Sequence, residues 1–174
     1  MVAIAAAVTG DREYTQTMAS LSVSVTRDSK VLETHARSWA DVCFDAINTG
    51  DAGAAIDKAA RQLGYPKPRA DGPDEVSACY LNGSLPSTFN MLKKYSKPHP
   101  HKNDVWTGLL ANANTGGENV HRGALLGAVL GAQAGLEGTS DKVFELYDKK
   151  SLEKEIDNFV KAVIRRKSNT RLEL

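Results

Sequence analysis

Apolar residues recur along this chain at helical spacing, and nowhere do apolar and polar positions alternate with a sustained period of two. The pattern predicts an all-α protein, a compact orthogonal helical domain around a buried Gly/Ala-rich central helix. Val2 to Val8 is a small apolar run of core type. Between Asp11 and Val25, the residues Tyr14, Met18, Leu21 and Val25 share one helical face. Asp28 or Ser29 can cap the next helix, which runs from Lys30 to Ile47 with Leu32, His35, Trp39, Val42 and Ala46 on one stripe. A turn over 48–53 leads into a short helix ending near Leu63, with Ile56, Ala59, Ala60 and Leu63 inward. Proline, glycine and charge make 64–74 a loop. Leu81 to Pro86 reads as a turn, after which Ser87 caps a helix carrying Phe89, Leu92 and Tyr95. Residues 96–103 form a second loop, and Asp104 can cap a helix with Val105, Leu109 and Leu110. Ser140 to Lys149 and Ser151 to Ile164 read as helical, the second with a clean face of Leu152, Ile156, Phe159 and Val163.

One stretch departs from ordinary amphipathic patterning. From Asn112 to Gly135 a polar, glycine-containing turn runs straight into a small-residue apolar helix. Gly123, Gly127, Gly131 and Gly135 recur every four residues and form a bare ridge. Each glycine costs about 1 kcal/mol relative to alanine inside a helix, so the ridge predicts close approach of another backbone. A helical interaction module packing through this ridge is one reading. The turn over 114–119 supplies flexible backbone and several oxygens. Glu118 has two roles open to it: a ligand for a hard cation such as Mg²⁺, or favourable charge at a helix N-terminus.

Charge and composition narrow the function classes. Among the 174 residues, Lys+Arg number 22 and Asp+Glu 21, a net charge of +1. This balance gives no reason to expect nucleic acid or an anionic membrane as partner. No window approaches the ~20 apolar residues of a membrane span. No basic residue precedes the short apolar run at the start, as a signal peptide would require. A soluble, cytoplasmic protein is the expectation. Cys43 and Cys79 belong to no CxxC pair and read as buried reduced thiols. His35 reads as a hydrogen-bonded core or boundary histidine, and His99 and His101 as part of a solvated loop. The basic run Arg165-Arg166-Lys167, with Arg171, reads as favourable charge at a helix C-terminus.

The segment Gly116-Gly117-Glu118-Asn119-Val120-His121-Arg122-Gly123-Ala124-Leu125-Leu126-Gly127-Ala128 resembles the ADP-ribosylglycohydrolase-like family. There a GGD-type motif runs directly into a helix of the form GAxxGAxxG. The flavour is that of the branch holding the J-crystallins and their selenoprotein relatives, whose GGDNCSR motif has its arginine counterpart in Arg122. Cys79 to Phe89 is similar to that branch's C-x-LP-x-x-F segment, and the stretch ending Val25-Thr26-Arg27-Asp28-Ser29 looks like the family's VTQNN. The resemblance covers most of the chain up to Gly135 and points to the C-terminal half of an all-α fold. It implies one all-α domain over 1–174, a piece of a longer protein or half of a split assembly. Exposed apolar surface on such a half implies homo-oligomerisation or poor solubility.

Active members hold two magnesium ions and cleave the glycosidic bond of ADP-ribose. Carried onto this chain, the resemblance makes Gly116, Gly117 and Asn119 ligand-binding residues and Glu118 the catalytic and metal-binding candidate. The second motif aspartate falls on Val120, and the threonine on His121. No T-D-D motif is present, and Pro73-Asp74-Glu75 lies in a loop of the wrong kind. These departures imply a degenerate metal site, no tightly held Mg²⁺, and a weakly active, non-catalytic or structural protein that binds an ADP-ribose-type small molecule. A Mg-dependent hydrolase completed by a missing N-terminal half is the alternative.

Overall fold

The computed structural model describes residues 1–65, 80–96 and 102–170. Its elements are α1 (Val2–Ala7), α2 (Arg12–Ser24), α3 (Lys30–Asn48), α4 (Gly53–Gln62), α5 (Leu81–Tyr95), α6 (Lys102–Thr115), α7 (Asn119–Gly138), a 3₁₀ turn (Asp141–Phe144) and α8 (Lys149–Thr170). Every regular element among the described residues is helical, so the fold is all-α as the periodicity predicts.

Local chemistry sets the helix starts. Asp11 caps α2 by accepting the Tyr14 N–H at 2.9 Å, and Ser29 caps α3 by accepting the Leu32 N–H at 3.4 Å. The face of α2 differs from expectation. Thr15, Ala19 and Ser20 are buried, whereas Leu21 and Val25 are exposed. Small side chains let α2 lie close along α3, its main packing partner. The Thr15 hydroxyl is satisfied by donating to the Asp11 carbonyl at 2.6 Å.

Three expected boundaries also shift. Leu81 to Pro86 is not a turn, because α5 begins at Leu81 and runs through Pro86. Pro86 is past the first turn, so its missing N–H removes one intrahelical bond, and the helix continues through it. Asp104 does not cap α6, which already begins at Lys102. Ser140 to Lys149 is not a helix: Ser140 caps a single 3₁₀ turn ending at Phe144, and α8 starts at Lys149. The predicted loops over 66–74 and 97–101, with His99 and His101, lie outside the described residues, as do Cys79 and Pro73-Asp74-Glu75.

The core has two parts. The larger gathers Val42, Ile56, Leu92, Leu126, Val129 and Leu130, each at most 1 % exposed. The smaller joins Ala3, Ala19, Ala40 and Cys43, and Trp39 packs against both. Burial pushes the Cys43 thiol up to about 12, which keeps it protonated and inert. Helix α7 is the central one, packed by α3, α5 and α6. Its one polar mid-helix side chain, Gln133, accepts from the Ser96 hydroxyl and donates to the Gly50 carbonyl at 3.2 Å, tying α7 to the end of α5 and to the α3–α4 turn. Among the described residues, no helix is long and apolar enough to cross a membrane.

Candidate functional site

The α6–α7 junction folds around a buried arginine. Helix α6 extends to Thr115, so Asn112 and Asn114 belong to its last turn and the connection proper is Gly116-Gly117-Glu118. Gly116 and Gly117 have φ of 75° and 64°, the left-handed region that side chains disfavour. Two such residues in succession reverse the chain tightly enough for α7 to lie back along α6.

Beneath this turn Arg122 is 1 % exposed. Its Nε donates to Asn112 Oδ1 at 2.6 Å, and its Nη2 donates to the Gly116 carbonyl at 2.8 Å and the Asn112 carbonyl at 3.3 Å. Its Nη1 donates to the Ser87 hydroxyl of α5 at 3.4 Å. Asn112 completes the lock by donating from Nδ2 to the Asn119 carbonyl at 2.7 Å. A buried guanidinium is costly unless its donors are met. Here they are met by the end of α6, the turn and α5, so one side chain fixes all three.

The lock explains Gly123. A Cβ there would stand 2.8 Å from Asn112 Nδ2, so glycine makes room for the asparagine. The expected approach of another backbone along the glycine ridge is not found. Gly123 and Gly127 receive side chains of α6, Asn112 and Leu109, and Gly131 faces no atom within 4 Å. Gly135, with φ 63°, breaks the helix. The four glycines thus have separate local roles, and a single ridge for a partner helix is not formed.

Above the lock, the outer side of the turn is open. Glu118 stands at the N-cap position of α7 but makes no side-chain cap bond. Its carboxylate instead meets His121 Nδ1 at 2.5 Å, one helical turn on. Val120 is 77 % exposed, and His121 also faces solvent. The structure therefore brings Gly116, Gly117, Glu118 and Asn119 together on one surface. Among the described residues, no three His, Cys, Asp or Glu side chains converge.

A second polar cluster was not anticipated. Asp41 of α3 is 4 % exposed and accepts from Gln16 at 2.7 Å and Arg12 at 3.3 Å through Oδ1, and from Lys58 at 3.2 Å through Oδ2. Burial alone would raise its pKa; the donors Gln16, Lys58 and Arg12 outweigh this and hold it below the ordinary carboxylate value. Arg12 also pairs with Asp45 at 2.5 Å and stacks over the Phe44 ring. The cluster floors a shallow polar cleft of about 300 Å³. The signal for it was Asp41 beside Val42 in the middle of the buried stripe, where a carboxylate needs partners.

His35 is hydrogen-bonded as read at one ring nitrogen, while its Nε2 is buried with no partner among the described residues. Its Nδ1 lies 2.6 Å from the Val31 carbonyl within α3, and its ring packs near Tyr65.

The family of all-α hydrolases suggested by the GGE turn and the Gly/Ala-rich helix is borne out by comparison: the family model described as ADP-ribosylglycohydrolase matches residues 1–170. The chain belongs to the ADP-ribosylglycohydrolase family. Comparisons with curated proteins and with solved structures found no match.

Proposed function

We propose that this protein binds an ADP-ribose-type ligand on the outer face of the Gly116–Asn119 turn, with little or no hydrolytic turnover of its own. The observation that carries the proposal is the division of the junction into two sides. Arg122 and Asn112 hold the turn from beneath, while Gly117 and Val120 are exposed and the start of α7 lacks a side-chain cap. An uncapped helix start beside a glycine turn offers N–H groups and positive potential to a phosphate. The metal chemistry is where the motif departs. Glu118 is paired with His121, and Val120 offers no oxygen. We infer a degenerate metal site that holds no Mg²⁺ tightly.

Isothermal titration calorimetry with ADP-ribose tests this directly. The expected result is saturable heat that is unchanged by millimolar Mg²⁺. Absence of heat with ADP-ribose, with and without Mg²⁺, sinks the binding reading and leaves a structural role.

The Glu118–His121 pair favours a second reading, a Mg-dependent hydrolase of ADP-ribosyl glycosidic bonds, because a carboxylate against an imidazole is suited to proton transfer. Such an enzyme would take its remaining metal ligands from a T-D-D-bearing half. Its signature is release of ADP-ribose from a modified substrate that Glu118→Gln abolishes. A wild-type full-length protein, with the T-D-D-bearing half present, that releases none at millimolar Mg²⁺ removes this reading.

A further inference from the structure

The last helix leaves apolar surface in water. Among the described residues, α8 makes no extended packing with any other helix. Phe159 and Val163 turn toward the groove formed by Val2, Ala6, Tyr14 and Met18, and both are half-buried. The neighbouring row at i, i+4 spacing is not covered. Leu152 is 39 %, Ile156 55 %, Val160 45 % and Ile164 53 % exposed. A contiguous apolar row of this length on a surface helix marks an interaction site.

The charges beside that row specify an occupant. One position on from each apolar residue runs a second i, i+4 row: Glu153, Asp157, Lys161 and Arg165. It is acidic in its first half and basic in its second. Asp157, Lys161 and Arg165 form no ion pair with any described residue, and Glu153 meets only Lys149, at 3.7 Å. Two parallel copies would place these rows on opposite flanks of the seam, where they do not meet. Two antiparallel copies, related by a two-fold axis near Phe159 and Val160, would set Asp157 against Lys161 and Glu153 against Arg165, each pair made twice. The same operation lays the apolar row of one copy along that of the other. Self-complementarity under a two-fold axis is what an isologous contact requires.

We propose that α8 is a homodimerisation element, pairing antiparallel with α8 of a second copy through the Ile156–Val160 row and the flanking Asp157–Lys161 contacts. The surface is separate from the Gly116–Asn119 turn and does not depend on ligand binding there.

Sedimentation equilibrium of the full chain tests the proposal. The expected result is a concentration-dependent monomer–dimer equilibrium. Val160→Glu should weaken it by at least about tenfold, since an unpaired carboxylate would enter the apolar seam. Asp157→Lys and Lys161→Asp should each weaken it, and the double reversal should restore it. All these positions are exposed, so circular dichroism should show the same helix content in every variant. A wild-type chain that stays monomeric overturns the proposal. So does a dimer indifferent to Val160→Glu, or a double reversal that associates no better than either single variant.

Discussion

At the scale of single residues, two buried charged side chains show opposite uses of the same physics. Arg122 links the end of α6, the glycine turn and α5 through charge-assisted hydrogen bonds to neutral acceptors. Arg122→Met keeps much of the volume but leaves Asn112 Oδ1 and the Gly116 carbonyl without this donor. It should cost about 3 kcal/mol, read from urea unfolding. Asp41 is held by cations from α2 and α4, and its folded pKa lies below the ordinary 3.8. A depressed carboxyl pKa means that the unfolded state takes up its proton first. The stabilisation is therefore complete at neutral pH and is lost as pH falls through 3.8 toward the lowered value. Asp41→Asn should destabilise at pH 7 and flatten the loss of stability as pH falls below 3.8, measured by denaturant titration at each pH.

At the scale of elements, the α6–α7 pair shows that glycines at equal spacing are not equivalent. Gly123→Ala places a methyl 2.8 Å from Asn112 Nδ2, and Asn112 cannot yield without releasing Arg122 and the Asn119 carbonyl. Even with the helix-propensity gain, a net loss of about 1–2 kcal/mol is expected. Gly131→Ala meets nothing within 4 Å and should stabilise by about 0.5–1 kcal/mol. The two melting temperatures should move in opposite directions. This contrast marks what could be read from the chain alone. The periodicity of α3, α4 and α7 and the capping role of Ser29 were legible because they depend on local spacing. The role of each glycine was not, because it depends on which α6 side chain lies opposite. Pro86 misled for a related reason: a proline reads as a breaker, yet α5 continues through it into the buried Phe89, Met91 and Leu92, whose packing the sequence alone does not reveal. The site was half legible. The GGE turn announced itself, but the burial of Arg122 and the convergence on Asp41 arise from contacts between elements distant in sequence.

At the scale of the whole molecule, stability is concentrated where α3 and α7 meet their neighbours, with Trp39 bridging the two parts of the core. The outer face of the glycine turn contributes little to it. Val120 is 77 % exposed and the His121 side chain 84 %. Glu118→Asp combined with Val120→Asp would bring back carboxylates of the family's motif at the start of α7, where negative charge is favourable. The double variant should keep its melting temperature within about 3 °C of wild type, because a surface substitution is worth about 0.5 kcal/mol either way. It should also show stronger Mg²⁺-dependent heat than the wild type in the same titration. The lock beneath the turn gives this face a particular evolutionary position. Arg122, Asn112 and Gly123 keep the junction in shape whatever stands at 118, 120 and 121. Selection for folding and selection for chemistry therefore act on different residues. A lineage built on this junction can lose catalysis, persist as a binding or structural protein, and regain metal ligands without ever passing through an unstable ancestor.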